Sequence, residues 1–262
     1  MNHQPNEKLG TWVQMNNPTI VEILGNNGFD FIVIDLEHGN ISLESLEHLL
    51  RAAEVSSLEA YVRVHDNNPS LITKVLDLGP HGIVVPHITT REEAEMVVSF
   101  AKYPPLGVRG SCPCTREAQH MNNDWSVFMK KSNKEMKVIA LVEGEEGIKN
   151  FESIASVEGI NALMVGPFDL SVSLGVPGEI EHSLIEEKYS RLIDITNQLG
   201  KDLIGIDFSE GVKGIEKGLN KWRNRSIKTI MTGIDKMIFG QSAREITALK
   251  HNGYREEGEN SI

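Results

Sequence analysis

The sequence predicts one (β/α)8 TIM barrel of the α/β class, and three observations carry that prediction. Short β-branched apolar runs alternate with longer amphipathic stretches, giving eight strand–helix units in 262 residues. The strands are near-continuous apolar runs, as parallel strands covered on both faces must be. The segment after the first strand, MNNPTI, contains no glycine, which ranks an open doubly wound sheet with its glycine-rich phosphate turn second.

Taken in order, Thr11–Gln14 is a first strand and Thr19–Asn26 its helix. Phe29–Ile34 is a strong second strand, followed by ISLESLEHLLRAAE, whose leucines recur at helical spacing behind a Ser42 N-cap. Tyr61–Val64 is the third strand; Pro69 opens a helix through Leu78 and Gly79 stops it. Gly82–Pro86 is the fourth strand, and Thr90 caps the helix REEAEMVVSFAKY. The stretch from Pro104 to about Met136 reads as irregular. Val138–Val142 is the fifth strand, with a helix over Ile148–Val157, and Ala162–Val165 is the sixth. A loop passes Pro167 and Pro177 before a long helix, Ser183–Leu199. Leu203–Ile206 and Ile227–Met231 are the last two strands, each followed by a helix: Glu210 to about Leu219, then Met237–Lys250. The expected organisation is one catalytic domain over residues 1–250 and a polar tail over 251–262.

Composition narrows the function classes. With 40% hydrophobic and 24% charged residues the chain has an ordinary globular make-up. A formal net charge of −11 argues against a nucleic-acid partner, which needs a basic face. No apolar run is long enough to span a bilayer, and MNHQPNEKLG lacks a signal-peptide layout, so no membrane partner is expected. The only cysteines, Cys112 and Cys114, read as two reduced thiols of a cytoplasmic protein, without the further soft ligands of a zinc site.

Barrel enzymes carry their chemistry at the C-terminal ends of the strands. Here the second strand ends in Asp35, Glu37 and His38, the third in Arg63 and His65, the fourth in His87, the fifth in Glu143, and the sixth runs into Gly166, Pro167, Phe168 and Asp169. The strands themselves carry no ionisable group, and the lysines at strand starts, Lys137 and Lys228, sit on the opposite, stability face. Asp35 alone is as readily a helix N-cap as a site group. A lone His65 or His87 is more often a hydrogen-bonded lining residue than a base. Arg63 after a buried strand needs a carboxylate or an anionic ligand as partner. Glu143 follows the apolar KVIALV, and Asp169 follows a stiff Gly-Pro turn; two carboxylates on adjacent strand ends suit a hard divalent cation, Mg²⁺ or Mn²⁺, with Co²⁺ also acceptable. Paired carboxylates also serve glycosidases, but 6% aromatic content is thin for sugar stacking. No lysine ends a strand, which points away from an imine mechanism and toward metal-assisted enolate chemistry.

The segments FDFIVIDLEHG, YVRV, DLGPHGIVVP, YPPLGVRG, LVEGEEGIKN and VGPFDLSVSLGVPG, in this order over about Gly10 to Ala248, resemble the HpcH/HpaI family of metal-dependent class II 2-oxo acid aldolases. The resemblance implies a (β/α)8 barrel that cleaves a 4-hydroxy-2-oxo acid to pyruvate and an aldehyde through a metal-stabilised enolate. It implies Glu143 and Asp169 as metal ligands, Arg63 on the keto oxygen, His38 as the proton-handling residue and Asp77, in LDLG, as its acidic partner. Backbone N–H groups around Gly166, Phe168 and Asp169 would hold the pyruvate carboxylate. The family pattern further implies a homo-oligomer, a hexamer or trimer, with the C-terminal helix exchanged between subunits, and a small-molecule 2-oxo acid as the partner.

The chain departs from the family pattern at Leu141, Phe168, Val64–His65 and the CPC-containing Ser111–Thr115. These positions bear on the aldehyde partner rather than on the metal and enolate groups. The alternative is a condensing enzyme of the same fold, a citrate-forming or siderophore-pathway synthase using oxaloacetate and an acyl-CoA. It would draw on Arg109, Arg116, Lys130 and Lys131 for the CoA phosphates, although a solvated loop is the simpler reading of these four. A catalytically silent barrel is a third reading, opposed by the intact Arg63, Glu143 and Asp169.

Overall fold

The computed structural model describes residues 7–256, with side chains through residue 249. The strands are β1 (Lys8–Val13), β2 (Phe31–Asp35), β3 (Glu59–Arg63), β4 (Gly82–Val85), β5 (Lys137–Val142), β6 (Ile160–Val165), β7 (Asp202–Asp207) and β8 (Thr229–Ile234). They pair in parallel in sequence order and β8 closes on β1, giving a complete barrel. The helices are α1 (Pro18–Asn26), α2 (Leu43–Val55), α3 (Pro69–Asp77), α4 (Arg91–Ala101), α5 (Trp125–Glu135), α6 (Glu145–Lys149), α7 (Phe151–Ala155), α8 (Pro167–Ser173), α9 (Ser183–Leu199), α10 (Gly211–Asn224) and α11 (Asp235–Glu256).

Local chemistry accounts for the helix starts. The Asn17, Ser42, Asn68 and Asp124 side chains accept backbone N–H bonds at the starts of α1, α2, α3 and α5, and Thr90 with Glu93 forms a complete capping box on α4. Gly200 ends α9 in the left-handed conformation that a β-carbon disfavours.

Two apolar clusters follow from the period of two along each strand. One lies between strands and helices and includes Ile32, Ile34, Val62, Val138 and Leu163. The other fills the barrel with Trp12, Phe31, Val33, Tyr61, Val84, Ile139, Leu141, Met164, Ile204, Ile206 and Met231. This double burial is why the strands read as unbroken apolar runs.

The structure differs from the sequence reading in several elements. The presumed irregular stretch before β5 contains α5, held by a Trp125–Phe128 stack at 5.0 Å and by Tyr103 at 5.5 Å from Trp125. Its packing rests on these rings rather than on a continuous apolar stripe, so periodicity did not reveal it. The presumed loop after β6 begins with α8, where Pro167 occupies the first turn. The helix after β5 is two short helices, α6 and α7. α11 continues to Glu256, into the expected tail, whose residues 257–262 lie outside the described residues. Charges also open strands: Glu59 starts β3, pairs with Lys8 at 2.6 Å and accepts the Tyr61 hydroxyl at 2.9 Å. Among the described residues no helix is long and apolar enough to cross a membrane.

Candidate active site

The alternation that turns Trp12, Tyr61, Leu141, Met164 and Ile206 into the barrel brings Gln14, Arg63, Glu143, Gly166 and Phe208 inward two residues later, at the C-terminal rim. These five line a cavity of about 170 Å³ together with Trp12, His38, Leu141, Pro167, Phe168, Asp169, Ile206 and Ile234.

One side of this cavity is polar and comes from the first strands. Strand register sets Asp35 directly opposite Arg63, so their ion pair is fixed by the β2–β3 ladder. The guanidinium Nε and Nη2 donate to the two Asp35 oxygens at 2.9 and 2.7 Å, a bidentate fork, and Nη1 lies 3.0 Å from Glu37 Oε2. Trp12 presents its ring 4.5 Å from the guanidinium carbon. Asp35 is fully buried and also accepts from Gln14 Nε2 at 2.8 Å and from the backbone N–H groups of Glu37 and His38 at 3.0 and 3.2 Å. Burial pushes the Asp35 carboxyl up, but the Arg63, Gln14 and His38 contacts outweigh it and hold the group below its ordinary value. The loop carrying Gln14 is fixed in turn by Asp235, which accepts the Gln14 and Met15 N–H groups at 3.0 and 2.7 Å.

His87 links this network to Glu143. Its Nε2 is 3.1 Å from Glu37 Oε1, its Nδ1 is 3.0 Å from Glu143 Oε2, and its backbone N–H donates to the same oxygen at 3.2 Å. This bridge requires a left-handed backbone, φ 57°, at a residue that carries a β-carbon.

Glu143 and Asp169 face the same cavity from adjacent strand ends. Burial, together with the negative charges of Asp169 and Glu37, raises the Glu143 pKa despite the pull of His87. Gly166, next to Glu143 beyond the β5–β6 pairing, leaves room for it: a β-carbon there would lie 2.9 Å from Glu143 Cγ. Among the described residues no group of three or more His, Cys, Asp or Glu side chains converges as a metal cage. Two carboxylates crowded without a fixed cation of their own nevertheless fit a hard divalent ion, which takes one or two protein carboxylates and fills its other positions with water and substrate oxygens.

The opposite side of the cavity comes from later strand ends and is apolar. Phe168 and Phe208 lie 5.1 Å apart with tilted rings, and Leu141, Ile206 and Ile234 complete the wall.

Arg63, His38, Glu143, Gly166, Phe168 and Asp169 thus come together as expected from the sequence. Asp77 does not join them: it ends α3 at the other end of the barrel, 2.8 Å from Arg109, while the carboxylate beside the His38 backbone is Asp35. Arg109 and Arg116 lie between α4 and β5, on the N-terminal face of the barrel. Arg109 is buried against Asp77 and Glu117, and Arg116 pairs with Glu54. Sequence reading missed Gln14, Trp12 and Phe208; the two-residue phase from the barrel interior was the signal that could have found them. It also undervalued His87, for which the sequence held no signal of the bridge.

Comparison with known proteins agrees with this geometry. The pattern of the HpcH/HpaI aldolase/citrate lyase family matches residues 8–239. The chain is 32% identical over 194 residues to 5-keto-4-deoxy-D-glucarate aldolase of Escherichia coli strain K12, covering 74% of this chain and 75% of the relative. Its structure is similar to that of citrate synthase SbnG, with a TM-score of 0.82, 30% identity and coverage of 97% and 95% of the two chains. It is also similar to an HpcH/HpaI aldolase/citrate lyase family protein from Burkholderia cenocepacia J2315, with a TM-score of 0.86, 26% identity and coverage of 94% and 95%. The chain belongs to the HpcH/HpaI aldolase/citrate lyase family and is an aldolase, a carbon–carbon lyase.

Proposed function

We propose that this aldolase cleaves a 4-hydroxy-2-oxo acid to pyruvate and an aldehyde, with a divalent cation, Mg²⁺ or Mn²⁺, held by Glu143 and Asp169. The supporting observation is the convergence of Arg63, His38, Glu143 and Asp169 on one small cavity at the C-terminal end of the barrel. Aldolases of this family are generally dependent on a divalent metal ion. When bound, the cation supplies positive charge to the carboxylate and keto oxygens of the 2-oxo acid.

The chain's own groups account for the remaining steps. The His38 imidazole takes the C4 hydroxyl proton as the C3–C4 bond breaks. The bonding electrons move to the C2 keto oxygen, giving the pyruvate enolate, and the C4 carbon leaves as the aldehyde. Arg63 has N–H groups on both Nη atoms beyond the two that Asp35 accepts, and these are available to that oxygen as its charge grows. A proton delivered to C3 completes pyruvate. The backbone N–H groups of Phe168 and Asp169 at the start of α8, set there by Gly166, hold the carboxylate of the 2-oxo acid, and Asp35 positions Arg63 and the His38 loop.

Gly166→Ala is expected to weaken Mn²⁺ binding about tenfold or more by displacing Glu143, measured by calorimetric titration, with an unchanged circular dichroism spectrum. The reading itself is tested by following pyruvate release from a panel of 4-hydroxy-2-oxo acids with Mg²⁺, Mn²⁺ or Co²⁺, and with a chelator. Undiminished pyruvate release in the chelator would overturn it. The likeness to citrate synthase SbnG favours a second reading, condensation of oxaloacetate with an acyl-CoA. Against it, Arg109 and Arg116, two of the four basic residues expected to hold CoA, lie on the barrel face opposite the cavity and are already paired with carboxylates. Turnover of that substrate pair alone, without pyruvate release, would establish it.

We further place the protein in the cytoplasm as a homo-oligomer, hexameric or trimeric, with α11 exchanged between subunits. The exposed thiols of Cys112 and Cys114 support the compartment. Exposed Phe239, Ile246 and Leu249 on α11 support the assembly. Light scattering on the purified chain checks it, and a monomer at micromolar concentration would reject it.

A further inference from the structure

The aldolase reading leaves the aldehyde unnamed, and the cavity restricts it. The 2-oxo acid end must lie against Glu143, Asp169 and Arg63, so the rest of the substrate faces the remaining wall. That wall is Leu141, Phe168, Ile206, Phe208 and Ile234. Arg63 is the single Arg or Lys among the described residues lining the cavity; Asp35 already accepts from two of its donors, and Glu37 lies 3.0 Å from a third nitrogen. The other charged lining groups are carboxylates, Glu143 and Asp169, with Glu37 behind them. A second carboxylate on the substrate would lose water against an aromatic and aliphatic wall, close to like charge and without a cation to receive it. An alkyl end would instead cover Phe168, which is 48% exposed, and Phe208. At about 170 Å³ the cavity falls below the roughly 300 Å³ lower bound of pockets for drug-sized ligands, so the substrate is small.

We propose that the aldehyde released is small, uncharged and largely apolar, and that Phe168 and Phe208 make the enzyme discriminate against 4-hydroxy-2-oxo diacids. This rests on the aldolase reading and adds the substrate class to it. It also separates the chain from its E. coli relative, whose name specifies a glucarate-derived substrate.

The test uses the full-length protein with Mn²⁺ and two seven-carbon 4-hydroxy-2-oxo acids, one ending in a methyl group and the other in a carboxylate. The methyl-ended acid is expected to have a kcat/KM about 100-fold higher or more. Binding is measured separately by calorimetry with 2-oxohexanoate and 2-oxoadipate, which cannot be cleaved, and the same order of affinity is expected. Phe168→Ala and Phe208→Ala should each narrow the kcat/KM ratio about tenfold, mainly by raising KM for the methyl-ended acid. Exchange of pyruvate methyl protons in D₂O reports the enolate independently of the aldehyde. Proton exchange with equal or better use of the diacid would overturn the substrate class while leaving the aldolase reading in place. Absence of both exchange and cleavage would overturn the two together. A ratio unchanged in both phenylalanine variants would remove those residues as its cause.

Discussion

Arg63→Ala is expected to destabilise the barrel by about 3–5 kcal/mol and to abolish useful turnover. Removing the guanidinium leaves Asp35, fully buried in the parent, without its cation and leaves Glu37 without its closest positive neighbour. For a chain of this size that loss corresponds to a melting-temperature drop of about 10 °C. The pH dependence identifies the cause. In the parent the folded pKa of Asp35 is depressed, so its contribution is present above the unfolded value, near 3.8, and is lost only as pH falls through the still lower folded value. In the variant the two Arg63 contributions are gone and only the Gln14 and His38 contacts oppose desolvation, so the folded pKa rises and protonation relieves the buried charge as pH falls. The gap in stability between parent and variant should therefore shrink between pH 7 and pH 4.5 in calorimetric unfolding scans; a constant gap would mean that Asp35 is not the group responsible. Turnover should fall about 10²–10³-fold even with saturating metal, because the donor to the developing oxyanion is gone. Arg63→Lys keeps a charge but not the two-pronged contact with Asp35, and should recover part of the stability and little of the rate.

Glu143→Gln is expected to act in the opposite sense on stability while removing activity at least as completely. Burial and the charges of Asp169 and Glu37 make ionisation of Glu143 costlier in the fold than in the unfolded chain, so a neutral isostere relieves the cation-free protein at pH 7. A chelator-treated variant should melt above the parent. The parent should gain stability on adding millimolar Mn²⁺ by linkage, and the variant should gain none. Retained Mn²⁺ stabilisation in the variant would remove Glu143 from the cation site. Because Glu143 Oε2 also receives the His87 backbone N–H, the Gln side chain must turn its carbonyl oxygen toward His87, a geometry the isostere permits.

The fold was legible because the barrel strands have two apolar faces and α1 to α4 each start at a capping side chain. α5 stayed hidden because ring stacking, not a stripe, holds it, and α8 because Pro167 and the later Pro177 read as loop. Among the site residues, Arg63, Glu143 and Asp169 were legible as charges placed where a strand has just been buried. Asp77 is the last residue of a helix that returns to the start of the next strand, so within this chain it stands at the end of the barrel away from the cavity. The Asp35–Arg63 pairing depends on the β2–β3 register, and the His87 bridge on a left-handed backbone; local sequence specified neither.

The division of the cavity between early and late strands carries a consequence for divergence. Most of the charge handling is anchored on β2 to β5, where Asp35, Arg63, Glu37, His87 and Glu143 are tied to one another and single changes propagate; Asp169, after β6, is the exception. Apart from Leu141, the side chains that meet the leaving fragment come from the other half, where one aromatic or aliphatic residue can be exchanged without disturbing that anchorage. New substrates can therefore be acquired largely by drift in the second half of the gene, and chimaeras joined between β5 and β6 should take most of their selectivity from the second parent, provided that parent also carries the aspartate at position 169.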